Sequence, residues 1–113
     1  MEYLESNARY SKAVVHGDTV YLAGQVAQDA GADIGEQTRQ VLAQIDALLA
    51  QCGTDKSRIV SALLLLQDMR DLPAVNTVWD AWVVPGRPPA RTPMEARLAD
   101  PRFLVEVQVV AAR

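Results

Sequence analysis

The sequence predicts an α+β domain in which two helices cover one face of a mostly antiparallel sheet. Three observations carry this prediction. In residues 103–110, Phe103, Val105, Val107 and Val109 fall on one face and Leu104, Glu106, Gln108 and Val110 on the other, the period of a strand. Two separate stretches repeat apolar residues at helical spacing, and between them lies a continuous apolar run. The resulting order is strand, strand, helix, strand, helix, strand, strand. Two helices hide only one side of such a sheet, yet the strands carry apolar residues on both, so the second side is expected to be buried by self-association.

Taken in order, Ser11–Val15 and Thr19–Val26 read as strands around a turn at His16-Gly17-Asp18. His16 in such a turn reads as solvent-exposed. Gly24, inside the second of these strands, marks either a bulge or a place where another backbone or a ligand comes close, or simple relief of crowding against a helix. Asp33 and Glu36 have the spacing of a capping box and open a helix to about Gln51, with Gly53 as the stop. Its apolar face is Val41, Leu42, Ile45, Leu48 and Leu49. Cys52 at its end reads as a small packed side chain.

The run in Arg58–Gln67 reads as a central strand buried on both faces. Asp71-Leu72-Pro73 restarts a helix, with Asp71 as N-cap and Pro in the first turn, and Pro85-Gly86 ends it. Val75, Val78, Trp79, Trp82 and Val83 form its apolar face, the tryptophans as packing anchors on the sheet, or, as the less favoured reading, one of them as part of a subunit interface or pocket wall. The last quarter reads as two strands, one opening at Arg91 and one carrying Glu106, joined by a turn at Ala99-Asp100-Pro101-Arg102.

At 113 residues, half of them apolar and 22% charged, the chain suits one soluble domain, 1–113. No apolar run reaches the roughly 18 residues that span a bilayer, and the acidic start is unlike a signal peptide, so a cytoplasmic protein without membrane partner is expected. One Cys and one His exclude a disulfide within the chain and make a protein-held zinc improbable, so no metal site is expected. A net charge of −3 with scattered basic residues argues against nucleic acid as a partner.

Glu106 and Arg91 are the candidate chemistry. A carboxylate amid Val and Leu must be solvated, hydrogen-bonded or protonated, which occurs more often in a cleft than in a plain core. Arg91 follows Pro88, Pro89 and Ala90, a stiff approach that presents its planar guanidinium at a fixed angle, suited to a carboxylate ligand. Spacing alone also admits an ordinary ion pair across the sheet, or two exposed charges.

These residues resemble the RidA, or YjgF, family of small enamine/imine deaminases. The resemblance runs from about Arg9 to Ala112 and rests on Tyr10-Ser11, Gly24-Gln25, Pro89-Ala90-Arg91 and Val105-Glu106-Val107, with Glu36, DKSRI and WDAWV nearer the YoaB-like branch. It implies a chorismate-mutase-like fold and a homotrimer with a central barrel and ligand clefts between subunits. It further implies that Arg91 binds the carboxylate of a 2-imino or 2-keto acid and that Glu106 positions or activates water. Tyr10 would close the cleft, the backbone at Ala23 and Gly24 would lie against the ligand, and no cofactor would be needed. Two positions depart from the family pattern. Pro93 stands where a Cys, Thr or Ser is usual, and Ala23 where Ser is frequent, so two ligand donors are missing. The expected function is hydrolysis of 2-iminoacids to 2-ketoacids and ammonia. The alternative is a trimeric binder of small carboxylates without chemistry, which Pro93 favours. An endoribonuclease or translation inhibitor ranks last, because one turn histidine and a negative chain are poor equipment for RNA.

Overall fold

A computed structural model describes the whole chain, Met1–Arg113, as one six-stranded sheet with two helices packed on one side. The strands are β1 (Glu2–Ser6), β2 (Ser11–His16), β3 (Thr19–Leu22), β4 (Ile59–Leu66), β5 (Ala90–Glu95) and β6 (Val105–Ala112). The helices are α1 (Ile34–Gln51) and α2 (Leu72–Trp82). No helix is long and apolar enough to cross a membrane.

The strand order is β1-β2-β3-β6-β4-β5, with four antiparallel pairings and one parallel, β4 with β5. The sheet is therefore mixed. Because α2 lies between β4 and β5, the chain is carried back to the same end of the sheet, the crossover that a parallel pair requires. This corrects the expected C-terminal arrangement. β5 and β6 are not neighbours joined by a turn; each pairs with a different edge of β4, and the connection between them passes over that strand's end. β1 was absent from the sequence reading, since EYLES has no apolar alternation, and it pairs as an exposed edge strand on β2.

The β2–β3 hairpin turns at Gly17, whose φ of +60° is the left-handed conformation glycine tolerates. β3 ends earlier than expected, at Leu22. Between the pairs Tyr21↔Val110 and Gln25↔Val107 lie Leu22, Ala23 and Gly24 on one strand but only Gln108 and Val109 on the other, so one extra residue bulges there. The bulge expected at Gly24 is present.

Both helices bury their faces in one core. Val41, Leu42, Ile45, Leu48 and Leu49 of α1 and Val75 and Trp79 of α2 meet the inward residues of the sheet, including Leu64, Leu66, Val105, Val107 and Val109. Cys52 is packed in the same core, and burial pushes its thiol pKa up. Trp82 lies nearer the surface, its indole Nε1 donating to Asp46 Oδ2 of α1 at 3.0 Å. It thus anchors helix to helix and not helix to sheet. The opposite sheet face stays open. Leu63 and Leu65 of β4 are half-exposed, so that strand is buried on one face within a single chain, and Tyr3 and Tyr21 stand on the open side at 63% and 47% exposure.

The two helix starts differ. Asp33 Oδ1 accepts from the Glu36 amide at 2.8 Å, a true cap, although Glu36 turns to Arg39 and Gln40 and leaves the reciprocal half of the box unmade. Asp71 makes no side-chain cap, because a 3-10 turn at Met69–Asp71 precedes α2 and Asp68 caps that turn through the Arg70 amide. Asp33→Ala should therefore cost about 1 kcal/mol of stability and Asp71→Ala only a few tenths, as measured by urea denaturation of the two variants.

Candidate functional site

The site is assembled at two places on the sheet. The first is the β3 bulge. Gly24 faces Glu106 so closely that a Cβ built on it would lie 2.0 Å from Glu106 Oε2. Only glycine permits this approach. Bulge geometry is held by two glutamines: Gln25 Nε2 donates to the Ala23 carbonyl at 3.0 Å, and Gln44 Nε2 of α1 donates to the Val26 carbonyl at 2.9 Å. The amide of Ala23 donates to the Lys12 carbonyl. Tyr10 is 54% exposed and is set by a turn in which the Asn7 side chain accepts from the Arg9 and Tyr10 amides. Tyr10 and Gly24 line one cavity of about 380 Å³, together with Lys12, Gln44 and Leu48.

Glu106 itself sits mid-strand opposite Leu65, half-buried, on the face that the helices leave open. Its carboxylate enters no salt bridge and accepts no hydrogen bond from within the chain. The carboxylate is available.

The second place is β5 against α2. Arg91 pairs in register with Ala62, which pairs with Val109, all on the helix-covered face. Glu106 pairs with Leu65 and hence falls on the other face. An ion pair between Arg91 and Glu106 within one chain is thereby excluded. Instead Arg91 Nη1 donates to Asn76 Oδ1 at 2.9 Å, and its guanidinium carbon lies 5.3 Å from the centroid of the Trp79 ring. Arg91 is half-buried while every other arginine is exposed, yet it has no carboxylate partner. By contrast Arg39, Arg70, Arg102 and Arg113, all exposed, each pair with an acid.

Pro93 shares Arg91's face, opposite Leu64. The Ala96 amide donates to the Leu66 carbonyl. Alternation along β5 then turns the amides of Thr92 and Met94 toward β4 and the nitrogen of Pro93 toward the outer edge, where a missing N–H breaks no ladder bond. Pro93 is thus tolerated by the fold at a position that also lacks a donor for a ligand. The turn residue His16 lies away from these groups, its Nδ1 3.1 Å from Met1 Sδ on the exposed hairpin.

Three contributors were not read from the sequence. Asn76 gave one weak signal, an amide side chain in mid-helix where it has low propensity. Trp79 was read first as a packing anchor, with a place in a subunit interface or pocket wall as the less favoured reading, and its contact with Arg91 was not foreseen. Gln37, fully buried, donates to the Arg102 carbonyl and accepts from the Leu104 amide, both at 2.9 Å, and so fixes the entry of β6 from α1.

In comparisons with known proteins, residues 2–113 match the family model described as Endoribonuclease L-PSP. The RutC family protein YoaB of Escherichia coli is 44% identical over 109 residues, 96% of this chain and 95% of that protein. A Pseudomonas aeruginosa crystal structure superposes with a TM-score of 0.97 at 46% identity, covering 99% of this chain and 97% of that one. A YjgF family member from Neisseria meningitidis gives 0.96, also at 46% identity, covering 99% and 93%.

The Gly24–Glu106 contact is testable without knowing a ligand. Gly24→Ala should push the Glu106 carboxylate aside at small cost, because the group it meets first is the flexible, unpaired end of a half-buried side chain, and whatever loss it causes should vanish in a Glu106→Ala background, as a double-mutant cycle followed by urea denaturation would show. Additive effects of the two changes would show that the side chain and the bulge do not meet.

Proposed function

Since this chain belongs to the RidA/YjgF family, in its YoaB-like branch, we propose that it hydrolyses reactive 2-iminoacids to 2-ketoacids and ammonia. The observation that carries this reading is Arg91, a half-buried guanidinium without a carboxylate of its own. A desolvated cation of that kind favours an anion, and its planar fork matches a carboxylate through two parallel bonds.

In the proposed reaction Arg91 anchors the substrate carboxylate and so places C2. Glu106 takes a proton from water as the water oxygen bonds to C2 and the C=N electron pair moves to nitrogen. Glu106 returns that proton to the nitrogen, giving the neutral carbinolamine, and the hydroxyl proton then passes to the nitrogen as the C–N bond breaks, so that ammonia leaves and the ketone remains. The balance is one imine and one water consumed for one ketoacid and one ammonia. Orientation supplies most of the effect, because an imine carbon is already electrophilic.

The sheet puts Arg91 and Glu106 of one chain on opposite faces, so a ligand that uses both must lie between two copies. The open apolar face, with Tyr3, Tyr21, Leu63 and Leu65, supports association through the sheet, and a homotrimer with its sheets inward is the proposed assembly. Tyr10 closes the cleft beside the bulge, and the backbone at Ala23 and Gly24 contacts the ligand.

A second reading, a binder of small carboxylates without turnover, draws on one observation. Neither Pro93 nor Ala23 offers a side-chain donor, and the Ala23 amide is already used by Lys12. RNA cleavage, the activity in the matched model's description, has weaker support: net charge is −3 and the single histidine stands apart on the hairpin.

Turnover of freshly generated 2-iminobutanoate against semicarbazide separates these readings. Arg91→Ala should weaken 2-ketobutyrate binding by about ten- to a hundredfold, whereas Glu106→Gln should lower turnover and leave that affinity nearly unchanged. Wild-type protein that binds the ketoacid but never accelerates imine hydrolysis would leave the binder reading. Light scattering should give three times the 12.3 kDa chain mass, and a monomer at micromolar concentration would remove the intersubunit site.

A further inference from the structure

The surroundings of Arg91 reach beyond its role as an anchor. Asn76 and Trp79 stand three residues apart on α2 and so share one side of the helix, which faces β5. Asn76 offers its amide oxygen to Nη1, and Trp79, only 5% exposed, offers its ring to the guanidinium, whose central carbon lies 5.3 Å from the ring centroid. Both supports are neutral. The bond at Nη1 leaves the Nε–Nη2 edge of the guanidinium, a complete two-donor fork, without a protein partner.

The rest of the chain shows the alternative. Asp68 and Asp100 hold Arg70 and Arg102 through two-pronged contacts, and each carboxylate pKa is lowered by those bonds, Asp68 to about 2. An aspartate at 76 would fix Arg91 at least as firmly as asparagine does. It would also cancel the charge.

We propose that Asn76 and Trp79 are positioning residues which hold Arg91 rigid while leaving its positive charge uncompensated, and that this neutral support selects a planar monoanionic carboxylate at the free edge of the guanidinium. The proposal rests on the anchor reading of Arg91 given above. It assigns α2 a function besides core packing. Trp79 fixes the plane of the fork, and Asn76 fixes its rotation within that plane.

The decisive variant is Asn76→Asp, which keeps size, shape and the acceptor oxygen. A residue with only a structural role would tolerate it, with folding and ligand affinity kept. On the present proposal the fold persists, by circular dichroism and urea denaturation, but 2-ketobutyrate binding in calorimetry falls by at least about tenfold because the internal carboxylate occupies the charge. Asn76→Ala, which frees the guanidinium without neutralising it, should weaken binding less, and in the imine assay should raise KM more than it lowers kcat. In a Trp82→Phe background, where Trp79 is the remaining tryptophan, ketoacid titration should change the emission with the calorimetric Kd. Arg91→Ala serves as the control for the underlying reading. If Arg91→Ala binds as well as wild type, the anchor reading fails. If Arg91→Ala loses affinity while Asn76→Asp keeps it, the anchor stands and the neutral-support proposal is overturned.

Discussion

The insertion of β6 between β3 and β4 is the constraint on which the rest of the structure depends. This strand pairs on both edges, and its inward residues Val105, Val107, Val109 and Ala111 run through the middle of the core. Without it, the β1-β2-β3 hairpins and the β4-α2-β5 crossover share no backbone hydrogen bonds. The last strand in sequence must therefore be in place before the sheet can close, and nearly every contact that closes it is distant in sequence, a topology associated with slower folding. Buried Gln37 secures that insertion. Its side chain ties the first turn of α1 to the residues that lead into β6, and all its bonds are satisfied, as a fully buried amide requires.

The same strand places the candidate carboxylate. Val107 pairs with Gln25 across the bulge, so the neighbouring Glu106 is turned out of the core and set against Gly24. Within one chain a carboxylate here costs little, because the open face leaves it partly hydrated. Fold and site are thus coupled through register: one residue of slip in β6 would bury Glu106 and expose the valines. Glycine at 24 and the extra residue beside it give the space that this arrangement needs.

On the far edge, charge is handled in another way. Four of the exposed arginines, Arg39, Arg70, Arg102 and Arg113, pair with acids, where each pair contributes little in water. Arg91 is withdrawn from solvent and supported by an amide and an indole. Such a cation carries a desolvation cost that a bound anion would offset. The two halves of the site thus lie on opposite faces of one sheet, one beneath α2 and one beside the bulge, and this separation links the chemistry proposed here to assembly.

Much was fixed by local sequence. The two helices, the glycine turn at 17, the bulge at Gly24, the packed Cys52 and the alternation that turns Glu106 away from the valines follow from periods of 3.6 and 2 and from single-residue preferences. The candidate residues Glu106 and Arg91 stood out for the same reason, since a carboxylate in an apolar strand and an arginine after two prolines violate local expectation. Tertiary structure alone decided how these pieces relate. Strand order, the parallel β4–β5 pair, the edge strand β1 and the choice of Asn76 and Trp79 as partners of Arg91 are contacts between distant segments, about which local periodicity carries no information. Arg91 and Glu106 show this most clearly. Each strand's alternation is written in its own sequence, but which face of the sheet each alternation selects depends on register against β4, and that register is set by packing of the whole core.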